Sequence, residues 1–255
     1  MDKDEAKRRA GIAAAAEVRD GMVVGLGTGS TVKHTILELG RRVREEGLHI
    51  TGIPTSKASD QLARGLGIPI LTLDDHPVVD VTIDGADELD PELRLIKGGG
   101  GALTREKIVA RASRRMVVVA DESKVVETLG RFPLPIEVLE FAKTPVQRFV
   151  ADLGARSTLR RELDELVRTD NGNVILDAPF RRIDEPEKLE RELEHFPGVV
   201  CSGLFIGLCH AAYIAGPEGV RRMGAEAGAW KPRKKAAGKP PAPKARAATT
   251  GSKKR

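Results

Sequence analysis

The 255 residues are 40% hydrophobic and 31% charged, the balance of an ordinary globular chain long enough to bury a sizeable core. Aromatic residues make up only 3%, which argues against stacking platforms for single-stranded nucleic acid and leaves the core to Val, Ile, Leu and Ala. The formal net charge of +5 misleads, because residues 231–255 hold ten Lys or Arg and no acid, leaving 32 basic against 37 acidic residues elsewhere, a net −5.

Cys201 and Cys209 are too few and too close for a disulfide framework, which fits a reducing compartment. The charged N-terminal stretch has no apolar core of signal-peptide length, and no apolar run approaches 18 residues. A cytoplasmic protein without membrane contact is expected.

Residues 4–19 read as an Ala-rich helix ending near Asp20-Gly21. Met22-Val23-Val24 is a short buried strand entering Gly25-Leu26-Gly27-Thr28-Gly29-Ser30-Thr31, and a helix with Val32, Ile36, Leu37 and Leu39 on its apolar face follows. A strand over 49–53 leads to a helix start at Thr55-Ser56, and short strands are expected over 70–73 and 80–83. The polar turn Asp84-Gly85-Ala86-Asp87-Glu88, the run from Lys97 through four glycines, a helix from Leu103 to about Ala112 and the valine-rich strand 116–120 complete this half. Short apolar strands alternating with helices indicate an α/β fold, a Rossmann-like parallel sheet flanked by helices. Ligands bind such sheets at the carboxyl ends of the strands, where every polar motif here falls.

From Phe132-Pro133-Leu134-Pro135 the style changes to a smaller α+β, ferredoxin-like unit. Its expected strands are 136–139, 155–159, 174–176 and 199–205, with helices near 144–153 and 185–195 and a turn at Thr169-Asp170-Asn171-Gly172-Asn173. The expected division is a catalytic unit of residues 1–130 plus 205–225, the small unit 131–204, and a disordered Lys/Ala/Pro-rich tail 226–255.

The chemistry concentrates at Lys97-Gly98-Gly99-Gly100-Gly101 and Glu106. Consecutive glycines leave backbone N–H groups accessible, a lysine stabilises developing negative charge, and a carboxylate takes a proton. With Asp84 and Asp87 upstream, this is the set that proton abstraction beside a carbonyl requires. Glu106 lies in the first turns of a helix, whose dipole lowers a carboxylate pKa, so burial and neighbouring acids must push it back toward neutrality if it is a base. Glu88 and Asp90 complete an acidic group that could equally be solvated turn carboxylates or a helix cap. Its spacing does not fit a calcium loop and no His lies nearby. The first glycine turn is a candidate phosphate cradle; a plain strand–helix connection and a nucleotide or S-adenosylmethionine site stay open. Against the last, no acid ends the second strand to hold a ribose hydroxyl. His34 could face the site or be structural.

Taken together, these stretches, with Asp121-Glu122-Ser123-Lys124, Phe132 through Val138, Thr169 through Asp177, Pro197-Gly198-Val199-Val200 and Gly203-Leu204-Phe205, resemble type A ribose-5-phosphate isomerases over roughly residues 4–223. The resemblance implies interconversion of D-ribose 5-phosphate and D-ribulose 5-phosphate through an ene-diolate, with no cofactor and no metal. It implies Glu106 as the base, Lys97 and the glycine-run amides as stabilisers of the oxyanion, and Asp84 and Asp87 as aids to ring opening and proton shuttling. Substrate binding would fall to Lys7, Thr28, Gly29, Ser30, Thr31, Gly85, Ala86, Gly98, Gly99, Gly100 and Lys124. A homodimer or homotetramer is implied. A sugar-phosphate sensor is the rival; such a protein normally carries a DNA-reading helix-turn-helix, and none is expected here. Gly101 stands where alanine is expected in many relatives, a change expected to loosen the turn. The tail adds a possible weak, salt-dependent contact with polyanions.

Overall fold

Residues 3–224 are described by the computed structural model. The first half runs α1 (Lys3–Ala15), β1 (Val23–Leu26), α2 (Ser30–Glu45), β2 (Thr51–Pro54), α3 (Lys57–Gly65), β3 (Val81–Gly85), β4 (Glu88–Leu89), β5 (Leu95–Ile96), α4 (Leu103–Arg111) and β6 (Met116–Asp121). The second half runs β7 (Leu134–Val138), α5 (Lys143–Asp152), β8 (Thr158–Leu159), β9 (Arg161–Glu162), β10 (Glu165–Leu166), β11 (Val174–Ala178), α6 (Pro186–His195), β12 (Val199–Ser202), β13 (Leu204–Phe205), β14 (Ala211–Gly216) and β15 (Gly219–Gly224).

The main sheet has the order β15-β14-β6-β3-β1-β2, parallel throughout except for β15, which returns antiparallel beside β14. β6 explains why its sequence is a run of valines. Val117 and Val119 pack into the core under α1 and α2, whereas Met116, Val118 and Ala120 face a second core with Leu89, Phe205 and Ile214. Successive side chains of a strand point to opposite faces, so a strand covered on both sides must be apolar at every position. Ala6, Ala10 and Ala14 let α1 lie close against its neighbours, and Gly11 lies where a Cβ would come within 2.9 Å of His34 Cβ on α2.

The chain segment β7-α5-β8-β11-α6-β12 builds an antiparallel sheet of order β12-β7-β11-β8 with a core from Ile136, Val138, Val150, Leu176 and Leu193. That succession is the ferredoxin-like one. Between the two sheets lies a small third sheet, β13-β5-β4.

Several expectations need correction. The first helix stops at Ala15 instead of continuing to 19, because Arg42 Nη1 donates to the carbonyls of Ala15 (2.7 Å) and Val18 (3.1 Å), ending the helical ladder there. Residues 70–73 form no strand: Ile70 makes a single bridge to Gly52, and the Thr72–Asp75 side-chain bond turns the chain away. The expected strand 199–205 is two, β12 in the antiparallel sheet and β13 in the third sheet. Gly203 separates them where a Cβ would lie 2.3 Å from the Lys97 carbonyl. Only Thr158–Leu159 of the expected 155–159 is strand, and the β9–β10 hairpin follows it. The basic tail lies outside the described residues, among which no helix is long and apolar enough to cross a membrane.

Candidate active site

A cleft of about 240 Å³ opens at the carboxyl ends of β1, β3 and β6. Its walls contain Lys7, Thr28, Gly29, Ser30, Thr31, Gly85, Ala86, Asp87, Lys97, Gly98, Gly99, Gly100, Glu106 and Lys124, every site residue expected from the sequence except Asp84. Asp84 is fully buried behind them, against Lys97. Asp121 and Ser123, named above only within the resembling stretch 121–124 and not as site residues, also line the cleft; their position at the carboxyl end of the parallel strand β6 is the signal for them.

Asp84 fastens two loops together. Its Oδ1 accepts from the N–H of Thr28 at 3.0 Å and of Gly85 at 2.7 Å, joining the β1 turn to the end of β3. Gly27 must be glycine because a Cβ there would sit 2.3 Å from that oxygen. Thr28 turns its hydroxyl away from the cleft into a cluster with Thr55 (2.7 Å), Ser56 (2.8 Å) and Ser59 (3.4 Å). Hydroxyls thus fill the end of β2, where a ribose-binding acid would stand in a dinucleotide site. Gly29, at φ 121°, precedes α2 without a side-chain cap, so the helix presents its leading N–H groups beside Ser30 and Thr31. Such an end attracts anions.

Asp87 Oδ2 accepts from the Gly99 N–H at 2.7 Å, and a Cβ on Gly99 would come within 2.6 Å of Asp87 Oδ1. Gly101 takes φ 78°, and a Cβ there would meet only Ile175 Cδ1, at an ordinary contact distance of 3.6 Å. The left-handed backbone there is one that glycine adopts without strain.

Lys97 is the only cation buried in the cleft wall among the described residues. Its Nζ donates to the Gly85 carbonyl at 2.6 Å and lies 3.2 Å from Asp84 Oδ2 and 3.3 Å from Glu106 Oε2. Neither carboxylate oxygen has a hydrogen bond of good geometry. Burial pushes the Lys97 pKa down, but Asp84, Glu106 and Asp87 outweigh it and the net direction is up. Burial raises Asp84 despite the pull of Lys97 and two backbone N–H donors. Glu106 is pushed up to about 8, by burial first and the charge of Asp84 second, against the opposing pull of Lys97. Those are the two influences that a base at this helix end requires.

The helix carrying Glu106 is fixed by the residues on either side of it. Thr104 Oγ1 donates to Glu137 Oε2 at 2.6 Å; Arg105 Nε donates to Asn171 Oδ1 at 2.8 Å; Lys107 Nζ reaches Glu190 at 2.8 Å and Glu194 at 3.1 Å. Glu137, fully buried on β7, also accepts from Thr169, Asn171 and Asn173.

The remaining acids are structural. Glu88 accepts from the N–H of Gly130 and Phe132, and Asp90 caps its own turn and pairs with Arg94 Nε at 2.6 Å. His34 Nε2 lies 3.4 Å from Asp4 Oδ1, between α1 and α2, and is not in the cleft wall.

Residues 51–219 match the family model described as ribose 5-phosphate isomerase A (phosphoriboisomerase A). A protein named ribose-5-phosphate isomerase A from Agrobacterium fabrum is 52% identical over 229 residues, covering 88% of this chain and 99% of its own length. The solved ribose 5-phosphate isomerase A of Methanocaldococcus jannaschii superposes with a TM-score of 0.84 at 42% identity, over 88% of this chain and all of its own. A D-ribose-5-phosphate isomerase solved in complex with phospho-erythronic acid gives 0.86 at 40% identity with the same coverage.

Proposed function

The chain belongs to the ribose 5-phosphate isomerase A family and is an aldose–ketose isomerase of D-ribose 5-phosphate and D-ribulose 5-phosphate, and we propose that Glu106 moves the proton of its ene-diolate chemistry. The observation that carries this reading is the cleft triad, in which two unpartnered carboxylate oxygens face one buried ammonium.

In the forward direction Glu106 takes the C2 proton of the open-chain aldose. The C2–H electron pair forms the C1–C2 double bond, and the carbonyl π electrons move to O1 as an oxyanion. Lys97 and the amides of the glycine run stabilise that charge. Glu106 then returns the proton to C1 while the O2 proton passes to O1, so that O2 becomes the carbonyl and O1 the hydroxyl of the ketose. A base with a pKa of about 8 both accepts and returns a proton near neutrality. Asp84 and Asp87 serve ring opening and proton exchange among the hydroxyls. The phosphate is held by the start of α2 at Ser30 and Thr31, with Lys7 and Lys124 adding charge, so that binding energy at the remote end orients the reacting carbons. The relative bound to phospho-erythronic acid supports this reading, since a carboxylate beside a phosphorylated chain carries charge where the ene-diolate develops it.

A cytoplasmic location suits the substrate and the two free thiols, Cys201 and Cys209. A homodimer or homotetramer would cover the fully exposed Phe141 and its apolar neighbour Leu139. The ten positive charges of residues 231–255 give a salt-dependent contact with polyanions, separable from catalysis by deleting the segment.

The test is conversion of D-ribose 5-phosphate in D₂O followed by NMR. Deuterium entering the ketose at C1 together with turnover supports the proton-transfer reading. Binding without conversion would make the protein a sugar-phosphate sensor instead.

A further inference from the structure

We propose that Arg160, which stands outside the cleft, is a positioning residue for the isomerase reaction, aiming the Gly100 amide of the glycine run at the oxyanion; this rests on the ene-diolate reading above. Arg160 lies between β8 and β9, with its own N–H on the Ile175 carbonyl at 2.9 Å and its carbonyl accepting from Val167 at 3.1 Å. Its Nη1 donates to two successive carbonyls of the run, Gly98 at 2.8 Å and Gly99 at 3.0 Å. Asp177 on β11 grips the other edge of the guanidinium, accepting from Nε at 2.9 Å and from Nη2 through its second oxygen. The ion pair is largely buried, with the Arg160 side chain only 15% exposed.

Geometry gives this clamp its consequence. In a planar trans peptide the C=O and N–H point in opposite directions. Holding the Gly98 and Gly99 carbonyls on the Arg160 side therefore aims the Gly99 and Gly100 N–H groups the other way. The Gly99 N–H is found on Asp87 Oδ2. The Gly100 N–H makes no hydrogen bond within the described residues, and Gly100 lines the cleft. Two adjacent carbonyls thus converge on one nitrogen. The guanidinium also polarises both peptides, strengthening the N–H that faces the substrate. Only arginine has the planar fork to serve two carbonyls and a carboxylate at once, so lysine is no equivalent here.

The experiment compares wild type with Arg160→Lys, Arg160→Gln and the double variant Arg160→Met/Asp177→Leu, which removes both charges so that no buried carboxylate is left alone. We expect kcat to fall roughly 10- to 100-fold while KM for D-ribose 5-phosphate stays within about threefold. Affinity for phospho-erythronic acid should fall by the same factor as kcat/KM, while affinity for inorganic phosphate stays unchanged. Arg160→Lys should recover little of the loss. Wild-type kcat in a folded variant, or equal weakening of inorganic phosphate and phospho-erythronic acid, would overturn the positioning role. A wild type that fails to convert the sugar phosphate would instead overturn the isomerase reading on which it rests.

Discussion

Two buried glutamates at the ends of one helix contact illustrate how the same side chain becomes chemistry in one place and scaffold in another. Glu137, on β7, accepts from Thr104, Thr169, Asn171 and Asn173, so both of its oxygens are satisfied by neutral donors and no ion pair is needed. Glu106, on α4, shares one ammonium with Asp84 and has an oxygen without a hydrogen bond. A satisfied buried carboxylate fixes structure; an unsatisfied one is held ready to bind a proton.

The sharpest way to break the comparison is to replace both glutamates by glutamine. Glu106→Gln should lower kcat by about 10³- to 10⁴-fold, the range for a lost general base, with the far-UV spectrum unchanged. Glu137→Gln should do the reverse. Its amide nitrogen would face a donor, costing about 2–3 kcal/mol of stability in denaturant unfolding, while kcat falls less than about tenfold.

The pH profile sharpens the contrast further. As the proposed base, Glu106 must be deprotonated, so kcat/KM of the wild type should rise with pH and level off above about 8. In Asp84→Asn the midpoint should move down, because the charge of Asp84 is one of the causes raising it. It should remain above the ordinary carboxylate range, since burial is the larger cause. A midpoint unmoved in that variant would separate the two acids.

The smallest effect expected is on stability. Glu106 binds its proton more tightly folded than unfolded, so its contribution is present below its ordinary value of 4.5 and is lost as pH rises through about 8. Glu106→Gln removes that loss. The variant should therefore melt above wild type at pH 9 and close to it at pH 5. Melting curves at the two pH values measure this directly.

Much of this was legible in the sequence, for reasons that also say where legibility ended. The parallel sheet announced itself through apolar strands followed by glycine turns, and Asp84, Asp87, Lys97 and Glu106 through their crowding around one such run. β4, β5 and β13 have two residues each, too short for any periodicity to register. Gly203, between the apolar pairs Val199-Val200 and Leu204-Phe205, gave no hint that the strand changes sheets there. Glu137 and Arg160 were invisible as functional supports because their partners lie 33 and 62 residues away. Nothing local marks a residue whose contacts are all distant.

That switch at Gly203 has a dynamic consequence. The Lys97 N–H bonds to the Gly203 carbonyl at 2.9 Å, and the Gly203 N–H bonds to the Pro135 carbonyl at 2.7 Å. The backbone of the cleft lysine is thereby strung to the antiparallel sheet through one residue with no room for a side chain. Opening either bond slackens the other, so the two amide protons should exchange with solvent as a single cooperative unit. The Lys97 ammonium keeps its place in the cleft wall only while that unit stays closed.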